Sequence, residues 1–274
     1  MSFSVNVDPT NPGQFFACCG LLELANRLWD GAEGWFAKED REFTIACGGT
    51  LRELLAAAKA TTFVGADEDD EEEESADDDD DAATVEPLLI ESPVQLRLDW
   101  WADKSIKTWA GSMNVRLIAI AMCNSIDAER TDPLNQCQIV FDPPKPLPPG
   151  SKQRKVKLKK REPFYFDARR GPNAHSRDVG FSPNDLQMKT TASPAVEFLC
   201  LIGLQRCRPA PTSKPRVLDY FTWKDPLVVS LLPAAVSGLM PVIRGRGYRF
   251  ENRFRSGQKK LKAYYPSTPL EEPK

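Results

Sequence analysis

Hydrophobic and polar positions divide the chain into a few strongly patterned segments. Phe3, Val5 and Val7 alternate with polar neighbours over Ser2–Val7, which predicts a strand. A Pro12-Gly13 break follows, and then Phe15, Cys18, Cys19, Leu22 and Leu28 recur at helical spacing. Phe16, Leu21 and Leu24 widen that stripe until little of the first turns is polar. A helix apolar on most sides must be covered on several, so Thr10–Trp29 is the expected centre of the core. Gln14, Glu23, Asn26 and Arg27 are the expected polar edge.

Beyond a turn at Asp30–Gly34, Glu42–Cys47 predicts a strand. Leu51–Lys59 predicts a helix with Thr50 as N-cap and Glu53 closing a capping box. Leu88–Ile90 and Val94–Trp100 resume strand character. A second core helix is expected from Ser105 to about Asp127, with Trp109, Met113, Leu117 and Ile120 on one stripe. A third, Pro194–Arg206, is expected to be capped by Ser193, with Pro194 at its first position and Glu197 in its first turn. Arg206 and Arg208 close it, which suits the helix dipole. RVLDYFTW and LVVSLLPAAVSG read as strands, or as a strand followed by a short buried element.

This pattern predicts an α+β fold with a mixed sheet and about three core helices, interrupted by a disordered acidic insert. Five segments follow: a strand-helix-strand-helix unit over 1–64, the acidic tract over 65–83, and the rest of the core with the Trp109 helix over 84–141. A proline-rich spacer (142–150) and a basic α+β half (151–274) complete the chain.

Charge changes the picture more than composition does. The formal net charge of the 274 residues is −3. Thirteen of the 39 acidic residues lie between Asp67 and Asp81, so the rest carries 36 bases against 26 acids, a net of +10. From Ser151 onward there are 25 bases and 10 acids, a net of +15. The acidic tract has nothing apolar to bury and repels itself. It reads either as a solvated insert or as a nucleic-acid mimic that screens the basic half. Asymmetry of this kind points to a polyanionic partner.

The bases fall into several groups. Lys104 and Lys107 precede the predicted Trp109 helix, where unsatisfied backbone donors favour phosphate. Lys155, Lys157 and Lys159 alternate around Val156 and Leu158, as a positive ribbon or as an exposed edge that deters sheet pairing. Phe164–Asn184 opens with a short aromatic strand, and its loop carries Arg169, Arg170 and Arg177. In the tail Arg244–Tyr265, Arg244, Arg246, Arg249, Arg253 and Arg255 are interleaved with Gly245, Gly247, Tyr248, Phe250 and Phe254, ahead of Lys259 and Lys260. Glycines admit a phosphate chain, arginines neutralise it and aromatics stack on bases. Partner docking is the other reading of this tail.

Catalytic chemistry finds little to stand on. The single histidine, His175, excludes a two-histidine zinc site and a paired-histidine ribonuclease, and Ser176 after it excludes an HD-type nuclease. Seven scattered cysteines form no C-x-x-C pair, which suits a reducing, cytoplasmic setting. Asp167, Asp178, Asp185 and Glu197 form no recognisable nuclease set, and Asp167 beside Arg169 and Arg170 reads more simply as an ion-pair partner. No cofactor loop, signal segment or membrane-length apolar run is present, so a non-enzyme without cofactor, metal or membrane is expected.

VDPTNPGQFFACCGLLELANRLW (Val7–Trp29) resembles the start of the third member of the Csb family, CRISPR-associated proteins of type I-G systems (formerly I-U, or Dpsyc). KTWAGSMNVRLIAIAM (Lys107–Met122), FYFDARRGPNAHSRDVGFSPN (Phe164–Asn184) and PAVEFLCLIGLQRCRP (Pro194–Pro209) extend the resemblance. It implies a large-subunit-like, non-catalytic component of a Cascade-like antiviral effector, in contact with guide RNA, target DNA, other subunits and a helicase-nuclease. Such a component supports recognition of the short target-adjacent motif while base pairing reads the sequence. Large subunits are longer than this chain, so those tasks need not all fall to it. Two alternatives remain open: a ferredoxin-like guide-RNA-processing ribonuclease using His175 with Tyr165 or a lysine, and an assembly protein that touches no nucleic acid.

Overall fold

A computed structural model of the chain describes residues 1–65, 86–109, 113–143, 158–170, 191–255 and 261–271. Most of the acidic tract, most of the proline-rich spacer and the loop carrying Arg177 and His175 lie outside the described residues. The elements in order begin with β1 (Ser2–Asn6), α1 (Pro12–Leu28), β2 (Glu33–Ala37), β3 (Glu42–Ala46), α2 (Leu51–Lys59) and β4 (Thr62–Phe63). Then come β5 (Leu88–Ser92), β6 (Leu96–Leu98), α3 (Val115–Asn124), α4 (Pro194–Arg206), β7 (Ala210–Pro211), β8 (Val217–Trp223) and β9 (Leu227–Val228). The chain closes with α5 (Leu232–Val236), β10 (Arg244–Phe254), β11 (Lys262–Tyr264) and β12 (Thr268–Pro269).

Every strand pairing among the described residues is antiparallel, so the α+β class stands while the expected mixed sheet is replaced by three antiparallel sheets. Their orders are β1-β3-β2-β9, β11-β10-β8-β7 with β12 also on β10, and β4-β5-β6.

The helices α1 and α4 form the middle of the molecule. Asn11 caps α1, its side chain accepting from the Gln14 N–H, and Pro12 occupies the first turn, where its missing donor costs nothing. From Pro12 through Ala25 every α1 side chain is buried. The same holds for α4 from Pro194 through Leu204. The two backbones touch at Gly20 and Gly203. A methyl built on Gly20 would stand 1.9 Å from the Leu199 carbonyl oxygen, and one on Gly203 would stand 2.0 Å from that of Phe16. Glu23 of α1 is bridged by Arg27 at 2.7 Å and also by Arg206 of α4, so the helices run side by side in one direction.

Each helix is followed by an antiparallel pair, β2–β3 after α1 and β8–β10 after α4. Bringing Gly20 onto Gly203 also sets Gln14 on Glu197, Phe15 on Phe198 and Leu21 on Leu204. The chain thus uses one helix pattern twice, a repeat that hydrophobic periodicity alone passes over.

Several expectations are corrected. Gln14 and Glu23 are buried, not a polar edge. Gln14 accepts from the Asp8 N–H and donates to the Leu134 carbonyl, which satisfies it inside the core. Ser193 sits at the N-cap of α4 but makes no capping bond, and its hydroxyl has no partner. The long helix from Ser105 is absent, and α3 begins only at Val115 with Asn114 as its cap. Trp109 instead joins Trp100, Trp101, Phe164 and Phe166 in an aromatic cluster. The carbonyls that would have served the helix are taken elsewhere: Ser105 and Lys107 accept from Asn252, and Ile106 accepts from Tyr264. The buried face of α3 is Ile118, Ala121 and Met122 rather than Met113, Leu117 and Ile120. Residues 161–166 join no named strand, and Tyr165 among them stands at a positive φ of 67°.

The Gly20–Gly203 contact generates a test. Gly20→Ala or Gly203→Ala forces two backbones apart, so each is expected to destabilise the fold by about 3 kcal/mol or more, against ~1 kcal/mol gained from helix propensity. Urea unfolding of each variant against Gly31→Ala, at an open positive-φ turn with nothing near its added methyl, measures the difference.

Candidate nucleic-acid interface

The basic tail is a single strand, β10, with two different faces. Near its end Tyr248, Phe250 and Asn252 point into the core, while Arg249 and Arg253 point out. Strict alternation would then turn Arg244 and Arg246 inward. Arg244 instead lies over Phe221 on the outer face, because pairing with β8 slips between Arg244 and Gly247, where three steps on β10 match two on β8. Such a bulge re-aims side chains by adding one residue. Thr222 holds it, its hydroxyl accepting the Arg246 N–H at 2.9 Å. Arg246 keeps to the side of Tyr248 and is exposed there in an open cleft. Three arginines thus share one outer face and a fourth faces the cleft, which periodicity of two does not produce.

These arginines have neighbours. Arg249 forms a two-pronged pair with Asp219 on β8, at 2.7 Å for each bond. Arg253 pairs with Glu251 and lies over Tyr265, and Arg244 lies over Phe221. Exposed pairs of this kind are worth at most about 1 kcal/mol, so a phosphate can replace the carboxylate without large loss. Tyr248 and Phe250 are each only 2% exposed, which removes them as stacking platforms for bases. The guanidinium planes themselves are what this face presents for stacking.

The loop arginines behave differently. Arg169 is folded onto the fully buried Asp167 and onto the Leu134 carbonyl, as an ion-pair reading of Asp167 anticipates. Arg170 is buried against Tyr165 and near Glu162, and Arg255 covers the same Tyr165 ring at 3.7 Å. Arg169, Arg170 and Arg255 therefore hold the fold rather than an outer surface. Lys104 is exposed and gives its carbonyl to Lys262. Lys107 lies over Trp109 at 5.8 Å, and Lys159 is exposed. Lys155, Lys157, Arg177, Lys259 and Lys260 lie outside the described residues. Arg41 and Arg216 were not singled out by sequence. Arg216 sits over Phe254 at the end of β10, and Arg41 faces the strand farther back, near Arg246 and Tyr248, from the β2–β3 turn. Strand pairing brings Arg216 to the tail, and packing of the first sheet beside the second brings Arg41.

Beneath this surface lies a buried polar knot at the joint N-termini of α1 and α4. Asn11 donates to Asp167 at 2.8 Å and accepts from the Ala168 N–H. Glu197 accepts from the N–H groups of Phe166 and Asp167. Burial and the charge of Asp167 push Glu197 up to about 8, while those two N–H donors pull the other way. Burial alone would raise Glu23 as well, but Arg206 and Arg27 hold it below the usual carboxylate range. Tyr165, the suggested partner of His175, is buried and bonded to Glu162, and burial raises its hydroxyl. Among the described residues no group of three or more histidine, cysteine, aspartate or glutamate side chains could hold a metal ion. Nor is any helix among them long and apolar enough to cross a membrane.

No protein family, curated protein or solved structure matches the chain.

The raised Glu197 sets a pH dependence. In the folded chain it keeps its proton up to about 8, whereas the unfolded chain loses it near the ordinary value of 4.5. The stability it contributes is thus fully present below 4.5 and is lost as pH rises toward 8, by up to about 1.4 kcal/mol per pH unit. Glu197→Gln is expected to flatten that part of the profile in urea melts at pH 5, 6, 7 and 8. An unchanged slope would assign the dependence to other groups.

Proposed function

We propose that the chain is a non-catalytic, nucleic-acid-binding subunit of a type I-G CRISPR effector complex, holding guide RNA or target DNA through the outer face of β10. The observation that carries the binding role is the set of exposed arginines on one strand, Arg244, Arg249 and Arg253 on its outer face with Arg246 on the cleft side beside Tyr248. The excess of +15 from Ser151 onward gives that set a positive surrounding field. The place in an effector complex is supported by the resemblance of Val7–Trp29, Lys107–Met122, Phe164–Asn184 and Pro194–Pro209 to the Csb proteins. In such a complex the protein holds backbone and the guide reads sequence, which suits arginines placed for phosphate with Tyr248 and Phe250 withdrawn into the core.

A second reading, docking on another subunit, has its own observation. Leu239 and Val242, between α5 and β10, are 76% and 96% exposed, an apolar tip next to the arginine row. The two roles are compatible within one assembly, and substitutions separate them.

Binding of the purified chain to single-stranded RNA and to duplex DNA across a salt series tests the proposal. Affinity is expected to fall steeply with salt, and replacing all four arginines with alanine to lower the slope against log salt by about 3 for single strands. Leu239→Ser with Val242→Ser is expected to leave both values unchanged. Equal slopes for the wild type and the four-arginine variant would sink the assignment of this face.

A further inference from the structure

The β1–α1 connection, the β2–β3 turn and the middle of β10 enclose a cleft of about 610 Å³. Its lining includes Asp8, Pro9, Glu39, Arg41, Arg246 and Tyr248. A volume of this size lies in the range of ordinary small-ligand sites. The cleft joins the first sheet to the second, and three observations show how it is built.

The first is backbone strain in one wall. Lys38, Glu39 and Asp40 are consecutive non-glycine residues with φ of 49°, 58° and 70°. Each such residue costs on the order of 1–3 kcal/mol and persists only where its surroundings enforce it. Here the turn is anchored on both sides. Asp40 is buried and accepts from the Tyr248 hydroxyl at 3.1 Å, and the Arg41 carbonyl accepts from the Val7 N–H at 3.0 Å. The anchoring fixes where Glu39 and Arg41 stand relative to β10.

The second is Arg246, which shares this side of β10 with Tyr248 and sits beside the bulge. A methyl on Gly245 would stand 2.4 Å from the Thr222 hydroxyl, and one on Gly247 would stand 2.6 Å from the Phe221 ring. Arg246 is therefore flanked by two glycines whose added methyls would crowd Thr222 and Phe221.

The third is charge. Among the described residues neither Arg41 nor Arg246 has an ion-pair partner, although both line one cleft and other arginines of β10 are paired. Asp8, the nearby carboxylate, is already bonded to the Thr10 N–H at 2.9 Å and to the Thr10 hydroxyl at 2.7 Å. Arg246 touches the Tyr248 hydroxyl, and two guanidinium groups not tied into an ion pair suit a phosphate, which both can hold by charge-assisted bonds. The carboxylate of Glu39 in the same cleft disfavours a bare polyanion and accepts hydrogens from hydroxyl or amino groups. A nucleotide carries a phosphate at one end and such donors at the other, and the arginines of β10 beside the cleft suit a nucleic-acid strand.

We propose that this cleft takes one nucleotide of a single strand, its phosphate between Arg41 and Arg246, its sugar or base against Pro9, and its hydroxyl or amino hydrogens on Glu39. The inference rests on the nucleic-acid reading above and adds a discrete pocket at one end of the arginine row.

Calorimetric titration of the full chain with adenosine 5′-monophosphate, adenosine and inorganic phosphate tests it. Saturable binding of the monophosphate is expected, with adenosine and phosphate each weaker by about tenfold or more, since each lacks one half of the recognised groups. Arg41→Ala and Arg246→Ala are each expected to weaken the monophosphate by about tenfold or more, with Arg41→Lys and Arg246→Lys partly restoring it. Both side chains are exposed, so thermal melts of the variants are expected to match the wild type. No saturable monophosphate binding, or binding indifferent to both arginines, would overturn the pocket. If a long strand still binds with steep salt dependence in that case, the pocket alone falls. If the long strand also fails to bind, the nucleic-acid reading falls with it.

Discussion

The close contact of two helix backbones at Gly20 and Gly203 governs the rest of this structure. With no side chain on either glycine, α1 and α4 lie against each other and point the same way. Both N-termini then converge on Phe166 and Asp167, where positive helix ends and the Asn11 amide allow two carboxylates to be buried. On the flank of the pair Phe15 and Phe16 receive Tyr220, and Phe16 also receives Phe250, from the inner face of β8 and β10. Whatever the outer face of β10 does, its inner face is set by this pair.

The same frame explains which charges are available to a partner. Arg169, Arg170, Arg206 and Arg27 are held by carboxylates or rings inside the fold. The arginines of β10 sit on a rigid strand with only weak, exposed partners. Sequence places Arg169, Arg170 and the arginines of β10 alike in basic stretches, and only Asp167 beside the first two hints at the difference. What separates them is which side of a packed element each residue leaves from, a tertiary property.

Much of the fold is legible from local pattern. The stripes of α1 and α4, the capping box of α2 and the alternation of β1, β3 and β8 are short-range signals, and the structure follows them. The misses share one cause, namely distant partners overriding local preference. Ser105, Ile106 and Lys107 give their carbonyls to Asn252 and Tyr264, so a helical stripe at Trp109 does not become a helix. Gly34 looks like a turn residue yet lies within β2, because Leu22 and Phe43 leave no room for a side chain and Trp223 bonds its carbonyl. The candidate surface was half legible. Its arginine and glycine interleaving is written in the chain, but the bulge that sets Arg244 on the outer face is a product of strand pairing, and the approach of Arg41 is a product of packing between two sheets.

Ultraviolet cross-linking of bound single-stranded RNA to the intact chain, with the attached peptides mapped by mass spectrometry, tests the central claim most directly. The account predicts attachment along Arg244–Arg253 and at the Lys38–Arg41 turn. Cross-links confined to the opposite sheet, around β4, β5 and β6, would contradict it.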